Sequence, residues 1–149
     1  EDAVSNGFIN YLGTTSDVLP IIREADCMVL PSYREGISRV LMEAASMEKP
    51  IIATNVTGCR EVINDGETGF LCKVKSPVDL AHKMAKIINM TEKEKVVMGQ
   101  KGRVKVIEEM DLEKIIDIYD YKIAAVLGEE EGITVDLQEL ISLRKTKKI

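Results

Sequence analysis

The chain has 149 residues, 45% hydrophobic and 30% charged, an ordinary balance for one soluble globular domain with a real core. Its net charge of −5 excludes a dedicated nucleic-acid binder, which needs a basic footprint for the phosphate backbone. No apolar run approaches the roughly 18 residues of a membrane-spanning helix.

The chain opens at Glu1 without a methionine and reads as a fragment. Its first apolar cluster is short and follows Glu1 and Asp2, so no signal peptide is expected. Phe8-Ile9-Asn10-Tyr11-Leu12 is rich in strand formers and stops at Gly13, which predicts a first strand. Ser16 or Asp17 can cap a short helix through Ala25, with Val18, Leu19, Ile21, Ile22 and Ala25 available for burial. Cys27 to Leu30 is almost continuously apolar, as a strand covered on both faces should be.

Pro31-Ser32 then opens a polar loop with a glycine, and a helix from about Arg39 to Glu48 follows. Lys49-Pro50 ends it, and Ile51–Thr54 is a third buried strand. Gly58 precedes a short helix over Cys59–Ile63. Asn64-Asp65-Gly66 and Thr68-Gly69 are turn signals, and Phe70–Val74 is a fourth strand.

After Pro77, which suits a first helical turn, the strands stop. Leu80, Ala81, Met84, Ile87 and Ile88 mark one apolar stripe. Thr91 caps the next helix, with Glu92 and Glu94 favourable near its start. A last helix spans about Leu112–Leu127, with Ile115, Ile116, Ile118, Tyr119, Ile123 and Val126 as apolar members. Short buried strands joined by helices imply an α/β fold. A Rossmann-like parallel sheet with helices on both faces and a helical C-terminal end is expected over residues 1–127. Residues 128–149 form a charged C-terminal tail. Val135, Leu137, Leu140, Ile141 and Leu143 could make one more amphipathic helix there. The basic end, Arg144–Lys148, reads as a solvated tail, or alternatively as a weak attraction to an anionic membrane surface.

Cys27, Cys59 and Cys72 are far apart and odd in number, so neither a zinc site nor a disulfide framework is signalled. Buried free thiols in a reducing compartment are expected. His82 is the only histidine and belongs to an exposed helix position, so no metal site is expected.

The chemistry concentrates at Pro31–Ala44. A strand that empties through a glycine-containing loop into a helix N-terminus is a ready anion site. In open α/β sheets, ligands gather at the carboxyl ends of strands. On a wheel of 3.6 residues per turn, Val40, Leu41, Met42, Ala44, Ala45 and Met47 cover most of the helix. Arg39, Glu43 and Ser46 share one narrow polar stripe. Glu43 is therefore the one acid before the C-terminal end of a largely buried helix, and it needs partners. It has two readings: an ion pair with Arg39 at i, i+4, or a carboxylate that accepts hydrogen bonds from a ligand's paired hydroxyls. Ser38 is the candidate N-cap, leaving the amides of Arg39, Val40 and Leu41 free for an anion. Gly58 is a second glycine-to-helix entry, weak on its own.

These residues resemble the Glu-x7-Glu motif of the group 1, retaining GT-B glycosyltransferases, through Pro31-Ser32, Glu35-Gly36 and Glu43-Ala44. Pro50 and its strand, Gly58 before Glu61, Asp65-Gly66 with Gly69-Phe70, and Met98–Arg103 continue the pattern in order, from about Phe8 to Leu127. The resemblance implies the C-terminal, donor-binding domain of a two-domain enzyme, and Glu35–Arg39 with Gly58–Glu61 resemble enzymes of bacterial surface-polysaccharide assembly. It implies that Glu43 binds the nucleotide ribose. Glu35, the candidate catalytic residue, and Gly36 would contact the donor sugar, with Ile37 and Ser38 lining the loop. The amides near Val40 and Leu41 would meet the diphosphate, and Gly13 and Thr14 the base. No protein nucleophile is assigned.

The implied partners are a nucleoside-diphosphate sugar, an N-terminal acceptor domain and a glycan or lipid-linked acceptor, with no nucleic acid. A cytoplasmic setting, peripheral to the inner membrane in the sharper form, and no cofactor or metal go with this. The family's donor-phosphate Arg and Lys would lie upstream of Glu1, so the fragment alone is expected to be inactive. The family usually has Gly where Glu48 stands, a departure that touches only the turn. A non-catalytic nucleotide-binding or protein-interaction module of the same fold is the competing expectation.

Overall fold

The computed structural model describes residues 2–128. The tail expected over 128–149 lies outside the described residues, apart from the backbone of Gly128. Ten elements follow in order: α1 (Asp2–Ser5), α2 (Leu19–Glu24), β1 (Met28–Leu30), α3 (Arg39–Ser46), β2 (Ile51–Thr54), α4 (Thr57–Val62), β3 (Phe70–Cys72), α5 (Pro77–Asn89), α6 (Glu92–Glu109) and α7 (Leu112–Gly128). The chain divides into two compact units, one ending at Val104 and the other beginning at Lys105.

In the first unit the three strands form one parallel sheet in the order β1-β2-β3. Met28 pairs with Ile51, and Ile52 with Phe70. All four residues of the central strand are buried, so both sheet faces are covered. Ile52 packs with Ile87 of α5 and Met98 of α6, joined by Cys27, Val29, Phe70, Leu80 and Met90. The period of two then puts Ile51 and Ala53 on the opposite face. α3 contacts β1 and β2, and its Leu41, Ala44 and Ala45 are fully buried.

The expected first strand does not form. Phe8–Leu12 is irregular, and Phe8 and Tyr11 are 83% and 78% exposed. Strand propensity expresses itself only where a neighbouring strand supplies hydrogen bonds and a packed face. Here β1 is flanked by β2 alone, and Phe8–Leu12 pairs with nothing. Gly13 accordingly sits in a left-handed turn, φ +76°, inside an exposed loop. α2 also starts later than expected. The Asp17 carboxylate accepts from the Leu19 amide, so it closes a turn ahead of the helix.

Elsewhere the capping chemistry follows the sequence. Ser76 accepts from the Asp79 amide at the start of α5. Thr91 and Glu94 make a reciprocal capping box for α6: the Thr91 amide donates to Glu94 at 2.7 Å, and the Glu94 amide donates to Thr91 at 3.3 Å. In the second unit the Asp111 carboxylate accepts from the Glu113 amide at the start of α7. Tyr119, Ile123 and Val126 of α7 are exposed, so they serve no core among the described residues. Among those residues no helix is long and apolar enough to cross a membrane.

Candidate functional site

The site begins where β1 ends. Pro31 cannot donate a ladder hydrogen bond, and the chain turns through Ser32–Ile37 into α3. The Thr54 hydroxyl, at the end of β2, donates to the Ser32 carbonyl and so ties the two strand ends together. The Asn55 amide donates to the Cys72 carbonyl at 2.7 Å, which continues the bonding into the end of β3. Three strand termini are thereby fixed side by side.

The Glu35–Gly36 turn is backed by α4. A Cβ on Gly58 would stand 1.7 Å from the Gly36 carbonyl oxygen and 2.7 Å from that of Glu35. Only a residue without a side chain permits this approach. Cys59, next in α4, is buried, which raises its thiol pKa, and the nearby Glu35 carboxylate raises it further.

α3 starts at Arg39, with Ser38 in extended geometry and almost fully buried. The Ser38 side chain makes no capping bond, contrary to the role expected for it. Its carbonyl accepts from the Met42 amide, which begins the helical ladder. The amides of Arg39, Val40 and Leu41 precede that first bond, so they lack intrahelical acceptors. Ser38 nevertheless occupies the N-cap position and is 3% exposed. Leu41 belongs to the core, so only its backbone can address a ligand. Val40 and Glu43 are half-buried, Glu35 is half-buried, and Gly36 and Ile37 are exposed. Arg39 and Glu43 form no ion pair within 4.0 Å among the described residues, so the purely structural partner expected for Glu43 is not engaged.

The far end of α3 is held by α6. The chain leaves through Glu48 at φ +58°, a left-handed conformation. Arg103 donates to the Ser46 carbonyl, and its Nε lies 3.8 Å from the Glu48 carboxylate. A Cβ on Gly99 would lie 1.8 Å from the Glu48 carbonyl oxygen. The helix carrying Glu43 is thus braced at its entrance by Gly58 and at its exit by Gly99 and Arg103.

Glu35, Gly36, Ile37, Ser38, Val40, Leu41 and Glu43 come together in one strand-to-helix turn. Gly13 and Thr14 lie instead in the exposed loop, which follows no strand. A cleft of about 340 Å³ opens over the three strand ends, lined by Pro31, Tyr33, Thr54, Cys72, Lys73, Lys75 and residues at the start of α5. Tyr33, Lys73 and Lys75 were not marked by the sequence as site residues. Their signal was faint: Lys75 stands just before Ser76-Pro77, where a strand hands over to a helix. Among the described residues no group of three His, Cys, Asp or Glu side chains could hold a metal ion.

Comparison with known proteins identifies the lineage. The family model described as glycosyl transferases group 1 matches residues 5–105. An N-acetylgalactosaminyltransferase of Campylobacter jejuni, whose name gives N,N'-diacetylbacillosaminyl-diphospho-undecaprenol as the molecule acted on, is 33% identical over 85 residues, covering 57% of this chain and 23% of that protein. The capsular polysaccharide biosynthesis glycosyltransferase CapM of Staphylococcus aureus is 32% identical over 117 residues, 78% of this chain and 30% of that protein. The crystal structure of HepE from Anabaena in complex with UDP superposes with a TM-score of 0.75 at 21% identity, over 80% of this chain and 33% of that one. The chain thus spans about a quarter to a third of the length of the proteins it matches.

Proposed function

The chain belongs to the group 1 glycosyltransferase family, and from that premise we propose that it is the nucleotide-sugar-binding part of a retaining enzyme. The enzyme transfers a sugar from a nucleoside diphosphate to an acceptor hydroxyl. The bond from the anomeric carbon to the diphosphate breaks, a bond to the acceptor oxygen forms, and the acceptor proton is released. The observation that carries this proposal is the braced turn between Glu35 and Glu43. It offers a helix N-terminus with uncapped amides and a half-buried carboxylate one turn further on.

The main demand of such a transfer is stabilisation of the leaving diphosphate. Fixed amides at Arg39, Val40 and Leu41, with the dipole of α3 behind them, meet that demand without reorganising and without a metal. Glu43 then accepts from the ribose hydroxyls, and Glu35 with Gly36 contacts the donor sugar, with Ile37 and Ser38 lining the loop. Glu35 is about two helical turns of sequence from Glu43, on the loop that Gly58 fixes, so the carboxylates have separate tasks. Gly13 and Thr14, in the exposed loop before α2, would meet the base.

The acceptor is proposed to be a glycan or lipid-linked sugar, supported by the acceptor named for the Campylobacter relative and by the capsular role named for CapM. Such an acceptor would bring the enzyme to the cytoplasmic face of a membrane. The chain spans about a quarter to a third of the proteins it matches, which supports an acceptor domain in a longer protein; this chain by itself would then bind donor but not turn it over. Titration with UDP, followed by amide NMR shifts, tests the proposal. Shifts concentrated on Ile37–Glu43 are expected at millimolar ligand, and no shifts there would overturn it.

A further inference from the structure

We infer that the cleft over the strand ends, between Tyr33, Lys73 and Lys75, is a second anion site that takes a diphosphate group. The naming of diphosphate rests on the glycosyltransferase proposal; the cleft itself does not. Its lining draws on the ends of all three strands: Pro31 and Tyr33 after β1, Thr54 in β2, and Cys72 and Lys73 at the end of β3. Its volume, about 340 Å³, has room for a diphosphate group.

The charge in this cleft runs against that of the molecule. The whole chain carries −5, yet the ionisable side chains lining the cleft include two ammonium groups and no carboxylate. The nearby Asp79 carboxylate accepts from the Lys73 backbone amide at 2.7 Å and, among the described residues, forms no ion pair with the Lys73 side chain. Lys75 is held in the left-handed region, φ +58°. Its Nζ lies 5.6 Å from the centre of the Tyr33 ring across the cleft. A cation resting on an aromatic face keeps its remaining N–H donors for an anion. The walls of Pro31, Cys72, Pro77 and Leu80 are apolar, so an anion here would be only partly hydrated and its attraction to the lysines correspondingly stronger.

The donor's diphosphate is proposed to lie on the amides of Arg39, Val40 and Leu41, so the group for this cleft is the diphosphate of an acceptor whose sugar is carried on one. The cleft residues are distinct from those of the Glu35–Glu43 turn, apart from sharing the loop after β1.

The test is titration of the 149-residue chain with inorganic pyrophosphate and, separately, with UDP, read by amide NMR shifts, in the parent and in a Lys73→Met/Lys75→Met variant. Pyrophosphate is expected to shift Tyr33, Lys73, Lys75 and Ser76, and the double variant to weaken it roughly tenfold or more, as for loss of charge-assisted hydrogen bonds. Unchanged UDP shifts at Ile37–Glu43 in the double variant would assign the cleft to the acceptor's diphosphate. A matching tenfold loss for UDP would make the cleft part of the donor site and overturn the inference of a second one. Pyrophosphate shifts absent from the cleft at millimolar ligand, or unaltered by the double variant, would overturn the inference. Loss of UDP binding at α3 with pyrophosphate still in the cleft would instead count against the donor-site proposal alone. Methionine keeps the alkyl stems, and a dispersed amide spectrum checks that the variant is folded.

Discussion

Gly58 stands against Gly36 with no room for one more carbon: a Cβ on Gly58 would lie 1.7 Å from the Gly36 carbonyl oxygen. The contact is one-sided. A Cβ on Gly36 would meet nothing within 4 Å. Gly58→Ala must therefore push α4 away from the Glu35–Gly36 loop or distort both backbones. Overpacking of this kind costs about 1–3 kcal/mol. Gly36→Ala should leave stability nearly unchanged. Urea denaturation of both variants checks the asymmetry; equal stabilities would mean that α4 does not brace the loop.

Glu48 occupies a left-handed position, φ +58°, where a residue with a Cβ is strained. Glu48→Gly relieves the strain but adds freedom to the unfolded chain and removes the Arg103 contact, a half-exposed pair of little worth. The net gain should be up to about 1 kcal/mol, seen as a higher thermal midpoint. Gly99→Ala should do the reverse, since its Cβ would meet the Glu48 carbonyl oxygen at 1.8 Å. The family resemblance marked Glu48 as a harmless departure in a turn, and the structure shows a backbone cost there.

Two hydrogen bonds from Thr91, side chain first and backbone second, hold the Glu94 carboxyl below its usual pKa. A carboxylate with a depressed folded pKa adds stability above its unfolded pKa and loses it as pH falls through the folded one. α6 should therefore weaken on acidification below about pH 4.5, the carboxyl's ordinary value. Glu94→Gln should flatten that part of the stability profile. Thr91→Ala removes the cap itself and should lower stability by about 0.5–2 kcal/mol. Thermal melts across the acid range separate the two effects.

Burial pushes the Cys27 thiol up to about 11 and also raises Cys59 and Cys72. All three are free. The folded state keeps protons that the unfolded chain loses from about pH 9, the ordinary thiol value, so stability falls as pH rises from there through 11. Alkylation at pH 8 should be slow until denaturant is added, because the thiolate is the reactive form. Rapid labelling of the native chain would show that these thiols are accessible and ionised.

The sequence made the sheet readable because Val29, Ile51, Ile52 and Cys72 are apolar runs between clear punctuation, Pro31, Pro50 and Gly69. The helices after Pro77 and Thr91 were readable because their signals are local, Pro77 with its apolar stripe and Thr91 with Glu94. Phe8–Leu12 misled because its residues favour strands, while pairing depends on a partner that local pattern cannot reveal. The Glu35–Glu43 turn was visible as a motif. Its bracing was not: Gly58 to Gly36 and Gly99 to Glu48 are close approaches between residues distant in sequence. Ser38 stands at the N-cap position that the sequence indicated, but its side chain makes no capping bond, which local preference alone does not reveal.

Glu43 carries the most direct prediction. It is half-buried on α3, it has no ion-pair partner in Arg39, and its helix is fixed at both ends. A carboxylate so placed can accept two hydroxyl hydrogen bonds with little loss of side-chain freedom. Glu43→Gln keeps the size and one acceptor but removes the charge. In the full-length enzyme it should raise the donor's dissociation constant roughly tenfold or more, for loss of a charge-assisted bond worth about 1.5–3 kcal/mol. The effect should be the same for UDP as for a UDP-sugar, because ribose is common to both. Glu35→Gln, by contrast, should weaken the UDP-sugar and leave UDP unchanged. Isothermal titration of both ligands against both variants decides it. An unchanged donor affinity in Glu43→Gln rules out the ribose role, and an equal loss for both ligands in Glu35→Gln rules out the sugar role.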